Sequence, residues 1–377
     1  MSSEKSNHAG KFVLVIHGGA GTMKRSQTTP DKERAYHSAL RAALEAGYAV
    51  LSQGGEALDA AVAAVSSMEN DPLFNSGRGA VFTTEGKNEL EASVMLSKPP
   101  VGSEVPKARR GASLTLLSKI ANPSQLARAI YLNPSICPHP FISGTHAETL
   151  ASKELGFDLK DPSYFFSRKR WEEHRRGLGL PVNLPEDHGG HDDDLSTNPQ
   201  GTVGAVALDI RGCICAVTST GGRTNKLPGR IGDTPHMGAG YWAEEWTQSK
   251  NSQGFWQWLV GKPAQGKKAV GISGTGNGDY FIRQATGISM TNHLKATGCT
   301  LQEAAAFATT ALKDEDENYG SPDADGGIIA LDEDGNIAMA LNCEGMYRGF
   351  VKKDGVIKTA IFADDIPEAH LVWQEKY

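Results

Sequence analysis

The chain has 377 residues, with 38 Lys+Arg against 44 Asp+Glu and a formal net charge of −6, enough length for one large domain or two ordinary ones. At 39% hydrophobic and 22% charged residues it reads as globular, and a mildly acidic chain lacks the positive field that nucleic acid or an anionic membrane surface needs. No apolar run approaches the roughly 20 residues of a membrane span, and Met1–Gly10 is polar, so no secretory leader is expected. Five scattered cysteines, an odd number, point to a reducing, cytoplasmic setting and not to a disulfide framework.

Lys11–Ile16 (KFVLVI) has the length of a buried strand and stops in His17-Gly18-Gly19-Ala20-Gly21. Thr29 as N-cap and Pro30 at the first helical position open a helix with apolar residues at Leu40, Ala43, Leu44, Gly47, Val50 and Leu51. Gly54-Gly55 stops it, and Leu58, Ala61, Val62 and Val65 predict a second, Ala-rich and deeply packed helix. Gly79–Thr84 and Glu89–Met95 predict two strands turned at Glu85-Gly86-Lys87. Shorter helices are expected around Ser124–Leu132, His146–Leu155 and Ser167–Arg176. The basic run from Arg168-Lys169-Arg170 to Arg175-Arg176 reads as an exposed helix face, because Glu172 and Glu173 lie within it.

From about Pro181 to Gln200 almost nothing is apolar, the texture of an exposed loop that can be cut without unfolding a domain. Thr202–Asp209 and Cys213–Ser219 then predict a hairpin turned at Ile210-Arg211-Gly212. Helices over Arg283–Lys295 and Leu301–Lys313 precede another hairpin, Gly327–Leu331 and Asn336–Leu341, turned at Asp334-Gly335. Hairpins where parallel crossovers would otherwise stand favour antiparallel sheets covered by helices.

Gly274-Thr275-Gly276-Asn277-Gly278-Asp279 fails the dinucleotide fingerprint at its sixth position, no GxxxxGK[ST] is present, and no nucleotide or redox cofactor is expected. His188-Gly189-Gly190-His191 followed by Asp192-Asp193-Asp194 reads as a solvated loop in preference to a metal site. With no GxSxG and no cysteine in a nucleophile context, threonine is the better candidate. Its hydroxyl is a weak nucleophile that needs a base beside it, and a cut just before it frees an α-amine of pKa roughly 7.7–8.0 for that task. Gly201-Thr202 lies where the loop meets the strand. Glycine there can take a strained backbone, and a branched threonine holds its hydroxyl in few rotamers. Ser219-Thr220-Gly221-Gly222 brings a second hydroxyl level with the start of that strand. Arg230 and Asp233 are a fixed cation and anion suited to the α-carboxylate and α-ammonium of a free amino acid; the alternative is an internal salt bridge between them. Thr275-Gly276 supplies a hydroxyl and an unobstructed N–H, the parts of an oxyanion hole.

Eight ordered blocks carry a resemblance over most of the chain: His17–Gly21 (HGGAG), Asp71–Phe82 (DPLFNSGRGAVF), Thr202–Asp209 (TVGAVALD), Thr218–Gly222 (TSTGG), Gly229–Asp233 (GRIGD), Gly238-Ala239-Gly240, Thr275–Arg283 (TGNGDYFIR) and Asn342–Gly349 (NCEGMYRG). In them the sequence resembles the plant-type L-asparaginases and isoaspartyl peptidases, which are N-terminal nucleophile hydrolases. The resemblance implies an α+β fold, an αββα sandwich of two antiparallel sheets with helices outside both. It implies a precursor that cuts itself into an alpha chain, Met1–Gly201, and a beta chain, Thr202–Tyr377, interleaved in one domain, and a homodimer of such pairs. The implied reaction is hydrolysis of the side-chain amide of L-asparagine and of β-aspartyl peptides, with a small-molecule substrate and no membrane or nucleic-acid partner. Thr202 would be the nucleophile, Thr220 its hydroxyl partner and Asn75 its support. Arg230 would hold the α-carboxylate, Asp233 and the Gly278 carbonyl the α-amine, and Thr275 with Gly276 the oxyanion. A structural sodium loop of carbonyls would map onto Met68, Glu69, Asp71, Phe74, Ser76 and Arg78.

Three departures stand out. Glu91-Ala92 replaces the family's usual Asp-Ala, Gly276-Asn277-Gly278-Asp279 replaces GTGE or GHGE, and the connection from Trp242 to Lys267 is long. That connection holds four of the six tryptophans, Trp242, Trp246, Trp256 and Trp258, and reads as a surface insertion packed on itself in preference to a substrate-shaping lid. The rival readings are a glycosylasparaginase, which usually has TSTNG where Thr218–Gly222 stands here, and an inactive, non-processing scaffold.

Overall fold

Side chains of β1 (Val13–Ala20) alternate between two apolar cores, Leu14 and Ile16 facing one, Val13 and Val15 the other. The same split runs through β5 (Val203–Leu208) and β6 (Ile214–Thr220): Ala205, Ala207, Cys215 and Val217 on the first side, Val206, Leu208, Ile214 and Ala216 on the second. Strands buried on both faces must be covered twice. In the computed structural model, which describes residues 10–21, 23–183, 201–247, 266–318 and 320–369, helices cover one face and a second sheet the other.

The larger sheet runs β12 (Lys358–Phe362), β11 (Gly345–Lys352), β1, β5, β6, β2 (Leu90–Leu96), β3 (Gly111–Leu117) and β4 (Phe141–Ser143); the smaller runs β10 (Ile337–Leu341), β9 (Gly326–Asp332), β8 (Lys267–Gly276) and β7 (Tyr241–Thr247). All neighbours are antiparallel except β3 and β4, a three-residue parallel edge. Helices α1 (Pro30–Ser52), α2 (Ala57–Glu69), α3 (Pro123–Leu132) and α4 (Gly144–Glu154) pack on the outer face of the larger sheet. The smaller sheet is covered by α7 (Thr286–Thr297) and α8 (Leu301–Ala311). The αββα sandwich therefore has three cores, and the middle one is sheet on sheet. Among the described residues no helix is long and apolar enough to cross a membrane, and all five cysteines are free.

Local chemistry explains where the chain meets the expectations and where it departs. Thr29 caps α1 by accepting the Lys32 N–H, and both expected hairpins, β5–β6 and β9–β10, form. Gly79–Thr84 is not a strand. Its backbone is taken by side chains, Val81 N–H by Asn75 Oδ1 and the Ala80 carbonyl by Asn88 Nδ2, so β2 pairs instead with β3 and β6. The helix expected over Arg283–Lys295 breaks at Ala285, a left-handed residue between α6 (Gly278–Gln284) and α7. Trp242 and Trp246 are not an insertion but part of β7, while Trp256, Trp258, the His188–Asp194 run and most of the Pro181–Gln200 loop lie outside the described residues.

The basic run is only partly an exposed face. On α5 (Arg168–Gly177) the Arg170 side chain is 1% exposed, pairs with Glu173 at 3.1 Å and donates from Nε to the Gly79 carbonyl at 2.8 Å. It clamps the loop that leads from α2 to β2. Breaking a buried, hydrogen-bonded charge costs about 3–5 kcal/mol, whereas an exposed neighbour costs within about 0.5 kcal/mol. Urea denaturation should therefore show a loss of that larger size for Arg170→Ala and almost none for Arg176→Ala.

Candidate active site

Three adjacent strands of the larger sheet end in polar side chains aimed at the smaller sheet. The β5–β6 register pairs Val203 with Ser219, which sets Thr202 opposite Thr220, and the β6–β2 register pairs Thr220 with Glu91. By strand parity all three share the face of Val206, Ala216 and Met95, which form the middle core further along. From β8, Ala269 faces the same core, so Ser273 and Thr275 face it too. Thr275 Oγ1 accepts the N–H of Thr202 at 3.1 Å and of Ala20 at 3.2 Å.

These strand ends enclose a cavity of about 280 Å³ whose wall includes Gly201, Thr202, Thr220, Glu91, Arg230, Asp233, Gly276 and Gly278. Thr275 is fully buried behind that wall, and Asn75 also stands back. Asn75 donates to the Gly222 carbonyl at 2.7 Å and accepts the Val81 N–H at 3.0 Å, so it fixes the turn after Thr220. A Cβ at residue 201 would lie 2.4 Å from the Gly19 Cα, which only glycine avoids: the peptide before Thr202 rests on the His17–Gly21 turn.

The connection from β6 to β7 forms the far wall, and alternate residues at the start of β2 hold it. Glu89 Oε2 accepts the Gly229 N–H at 2.9 Å, Glu91 Oε1 the Gly232 N–H at 2.8 Å, and Ser93 Oγ donates to the Thr234 carbonyl at 2.7 Å. Arg230 and Asp233 are thereby fixed, but not to each other. Arg230 Nη2 reaches Asp279 Oδ1 at 2.7 Å, and Asp233 Oδ2 has no hydrogen-bond partner among the described residues. Gly278 lies against Asp233, whose Oδ1 is 2.2 Å from where a Cβ would stand. The internal Arg230–Asp233 salt bridge is not formed.

Burial sets the electrostatics. It pushes the Asp233 carboxyl up to about 7, with Glu91 adding to the effect and Arg230 opposing it. It raises Glu91 as well, against the pull of Lys226. His17 is held down to about 3, so its ring is neutral. Its Nδ1 faces the Thr202 carbonyl at 2.9 Å, which can only accept, so Nδ1 carries the proton and Nε2 accepts from Ser273 Oγ at 2.8 Å. Ser273 in turn meets Thr218 Oγ1 at 2.9 Å. Sequence reasoning gave no role to His17, Glu89, Glu91 or Ser93. The polar series Glu89, Glu91, Ser93 alternating with Leu90, Ala92 and Val94 is the period-two signal that marks the last three.

Met68 and Glu69 end α2, Asp71, Phe74, Ser76 and Arg78 follow on the loop that carries Asn75, and none of the six lines the cavity. That loop closes so tightly that a Cβ at Gly77 would be 2.3 Å from the Glu69 oxygen and one at Gly79 2.1 Å from the Phe74 oxygen. Of the six backbone carbonyls, those of Met68, Asp71 and Ser76 already accept the N–H groups of Asp71, Phe74 and Gly79. Among the described residues no cluster of three or more His, Cys, Asp and Glu could hold a metal ion.

A carboxyl raised above its ordinary 3.8 binds its proton more tightly when folded, so the stability it contributes is lost as pH climbs towards 7. Asp233→Asn should raise the denaturation midpoint of the substrate-free protein at pH 8 by several degrees. In melts across the pH range that advantage should shrink towards pH 4.

The family model described as Asparaginase matches residues 10–249 and 261–361. Over 357 residues the chain is 34% identical to the isoaspartyl peptidase of Escherichia coli K12, a match covering 94% of this chain and 97% of that one. It is 32% identical over 340 residues to the plant-type L-asparaginase of Pyrobaculum calidifontis, covering 90% and 97%. To the isoaspartyl peptidase/L-asparaginase of Danio rerio it is 31% identical over 327 residues, covering 86% and 87%. Matches of this extent take in both sheets and every wall of the cavity, and by them the chain belongs to the asparaginase family.

Proposed function

We propose that the protein hydrolyses the side-chain amide of L-asparagine and the β-aspartyl bond of isoaspartyl peptides, using Thr202 as a nucleophile freed by self-cleavage. The observation that carries this is a single cavity with Thr202 opposite Thr220 at one end and Arg230, Asp233 and Gly278 at the other. The names of the relatives, isoaspartyl peptidase and L-asparaginase, point to the same substrates.

In the first reaction Thr202 Oγ attacks the Gly201 carbonyl carbon and its proton passes to the Thr202 nitrogen as the C–N bond breaks, which frees the amine and leaves an ester. Water then hydrolyses that ester to the Gly201 carboxylate and the Thr202 hydroxyl. The products are Met1–Gly201 and Thr202–Tyr377. They would stay together, since β1 is hydrogen-bonded to both β5 and β11. In the second reaction the amine takes the Thr202 hydroxyl proton as Oγ attacks the β-carbonyl of the substrate. Thr275 and the Gly276 N–H meet the charge on the tetrahedral oxygen. The amine returns the proton to departing ammonia or amino acid, and water then releases aspartate from Thr202. Arg230 grips the α-carboxylate in place of Asp279, and Asp233 with the Gly278 carbonyl takes the α-ammonium. A sodium ion held by the carbonyls of Met68, Glu69, Asp71, Phe74, Ser76 and Arg78 would brace the Asn75 loop and take no part in these steps.

Mass spectrometry tests the first reaction directly. Purified protein should give the two fragments, and Thr202→Ala should stay whole; an active enzyme with an uncut chain would refute the assignment. Arg230→Lys keeps the charge but loses the planar fork, and kcat/KM for L-asparagine should drop by about 2–4 kcal/mol of transition-state stabilisation. The same loss is expected on β-aspartyl-leucine, because its leaving group points away from the clamp. Turnover of glycosylated asparagine alone would favour a glycosylasparaginase instead.

A further inference from the structure

We propose that Glu91 is a second carboxylate for the substrate α-ammonium and so sets the site's demand for a free amino group; this rests on the amidase reading above. Glu91 stands in one row with Thr220 and Thr202 across adjacent strands, on the face turned to the cavity. Two strand spacings, roughly 10 Å, separate the ends of that row. Threonine and glutamate side chains reaching in from them leave room for a four-carbon amino acid.

The side chain is fully buried, yet only half of it is used. Oε1 accepts the Gly232 N–H at 2.8 Å, and Oε2 has no partner among the described residues. The cations nearby are engaged elsewhere. Lys226 Nζ donates to the Glu89 carbonyl at 2.6 Å and Arg230 pairs with Asp279. Asp233, next along the chain from the Gly232 that Glu91 holds, has its Oδ2 likewise unpartnered among the described residues. Two buried carboxylates, each with an orphaned oxygen, call for a ligand that brings positive charge and several N–H donors at once. An ammonium group has three N–H, one each for Asp233, Glu91 and the Gly278 carbonyl. The aspartate usual at this place in the family is one methylene shorter, so the two differ in reach and not in charge.

The test compares L-asparagine with succinamate, which keeps the carboxylate and the amide and lacks only the α-amine. Glu91→Gln is isosteric and still offers Oε1 to Gly232, so the loop stays pinned; Glu91→Asp keeps the charge on a shorter arm. In cleaved protein Glu91→Gln should lower kcat/KM for L-asparagine about tenfold or more, chiefly through KM, while succinamate changes by less than about twofold. The preference for the amino substrate should therefore shrink in Glu91→Gln and less so in Glu91→Asp. An equal loss on both substrates, or no loss on either, overturns the role given to Glu91. A cleaved wild-type enzyme that turns over no L-asparagine overturns the amidase reading itself, and this proposal with it.

Discussion

Strand register is the constraint on which the site depends. A slip of one residue between β5 and β6 would turn Thr202 or Thr220 into the helix-covered core, and a slip between β6 and β2 would do the same to Glu91. The apolar alternation of Val206, Leu208, Ile214 and Ala216 against Ala205, Ala207, Cys215 and Val217 forbids such a slip over the length of the hairpin. Packing well away from the cavity thus positions hydroxyls and carboxylates at its mouth. The polar side chains that line the cavity sit at strand ends, and further along the same face of those strands apolar residues form the middle core.

The second theme is buried charge left partly unsatisfied. Other buried charges are well supplied: Glu69 accepts from the Ser124 N–H, Ser124 Oγ and Ser219 Oγ, and Arg348 donates to four backbone carbonyls. Of the five buried side-chain atoms left without a partner among the described residues, three are the hydroxyls of Thr115, Tyr131 and Thr234, and the two carboxylate oxygens belong to Glu91 and Asp233, both cavity-lining residues. Groups of this kind destabilise an empty protein and favour one that holds a complementary ligand. Arg230 is treated differently, because Asp279 at the half-open rim gives it an anion that a ligand carboxylate can replace.

Much of this was legible in the sequence, and the reasons differ by element. The helices α1 and α2 and the hairpins β5–β6 and β9–β10 follow from caps, periodicity and turn residues, all local signals. The short-range signals fail where backbone bonds go to side chains, as at Gly79–Thr84, or where a strand such as β11 is placed by a partner far along the chain, β1. Thr202, Thr220, Arg230 and Asp233 could be singled out from motif and residue chemistry, and they do line one cavity. The Arg230–Asp279 pair could not, since nothing in the spacing says which acid an arginine will meet. Nor could the neutral ring of His17, whose charge state is set by burial and whose tautomer is set by partners on other strands, Thr202 and Ser273.

The order of the larger sheet carries one more consequence. β1 lies between β11 and β5, and β2 lies beside β6, so the residues before Thr202 enter that sheet at two separate places, while the smaller sheet comes wholly from the residues after it. In an uncut chain these insertions are intramolecular and proceed at the high effective concentration of a tether. Once the tether before Thr202 is severed, a denatured molecule would have to regain the same sheet by a bimolecular encounter between two fragments, neither of which holds a complete core. Persistence of the cut form would then be governed by how slowly it opens and not by how readily it refolds. The information needed to assemble such a protein would belong to the precursor, and maturation would be a step that cannot be retraced.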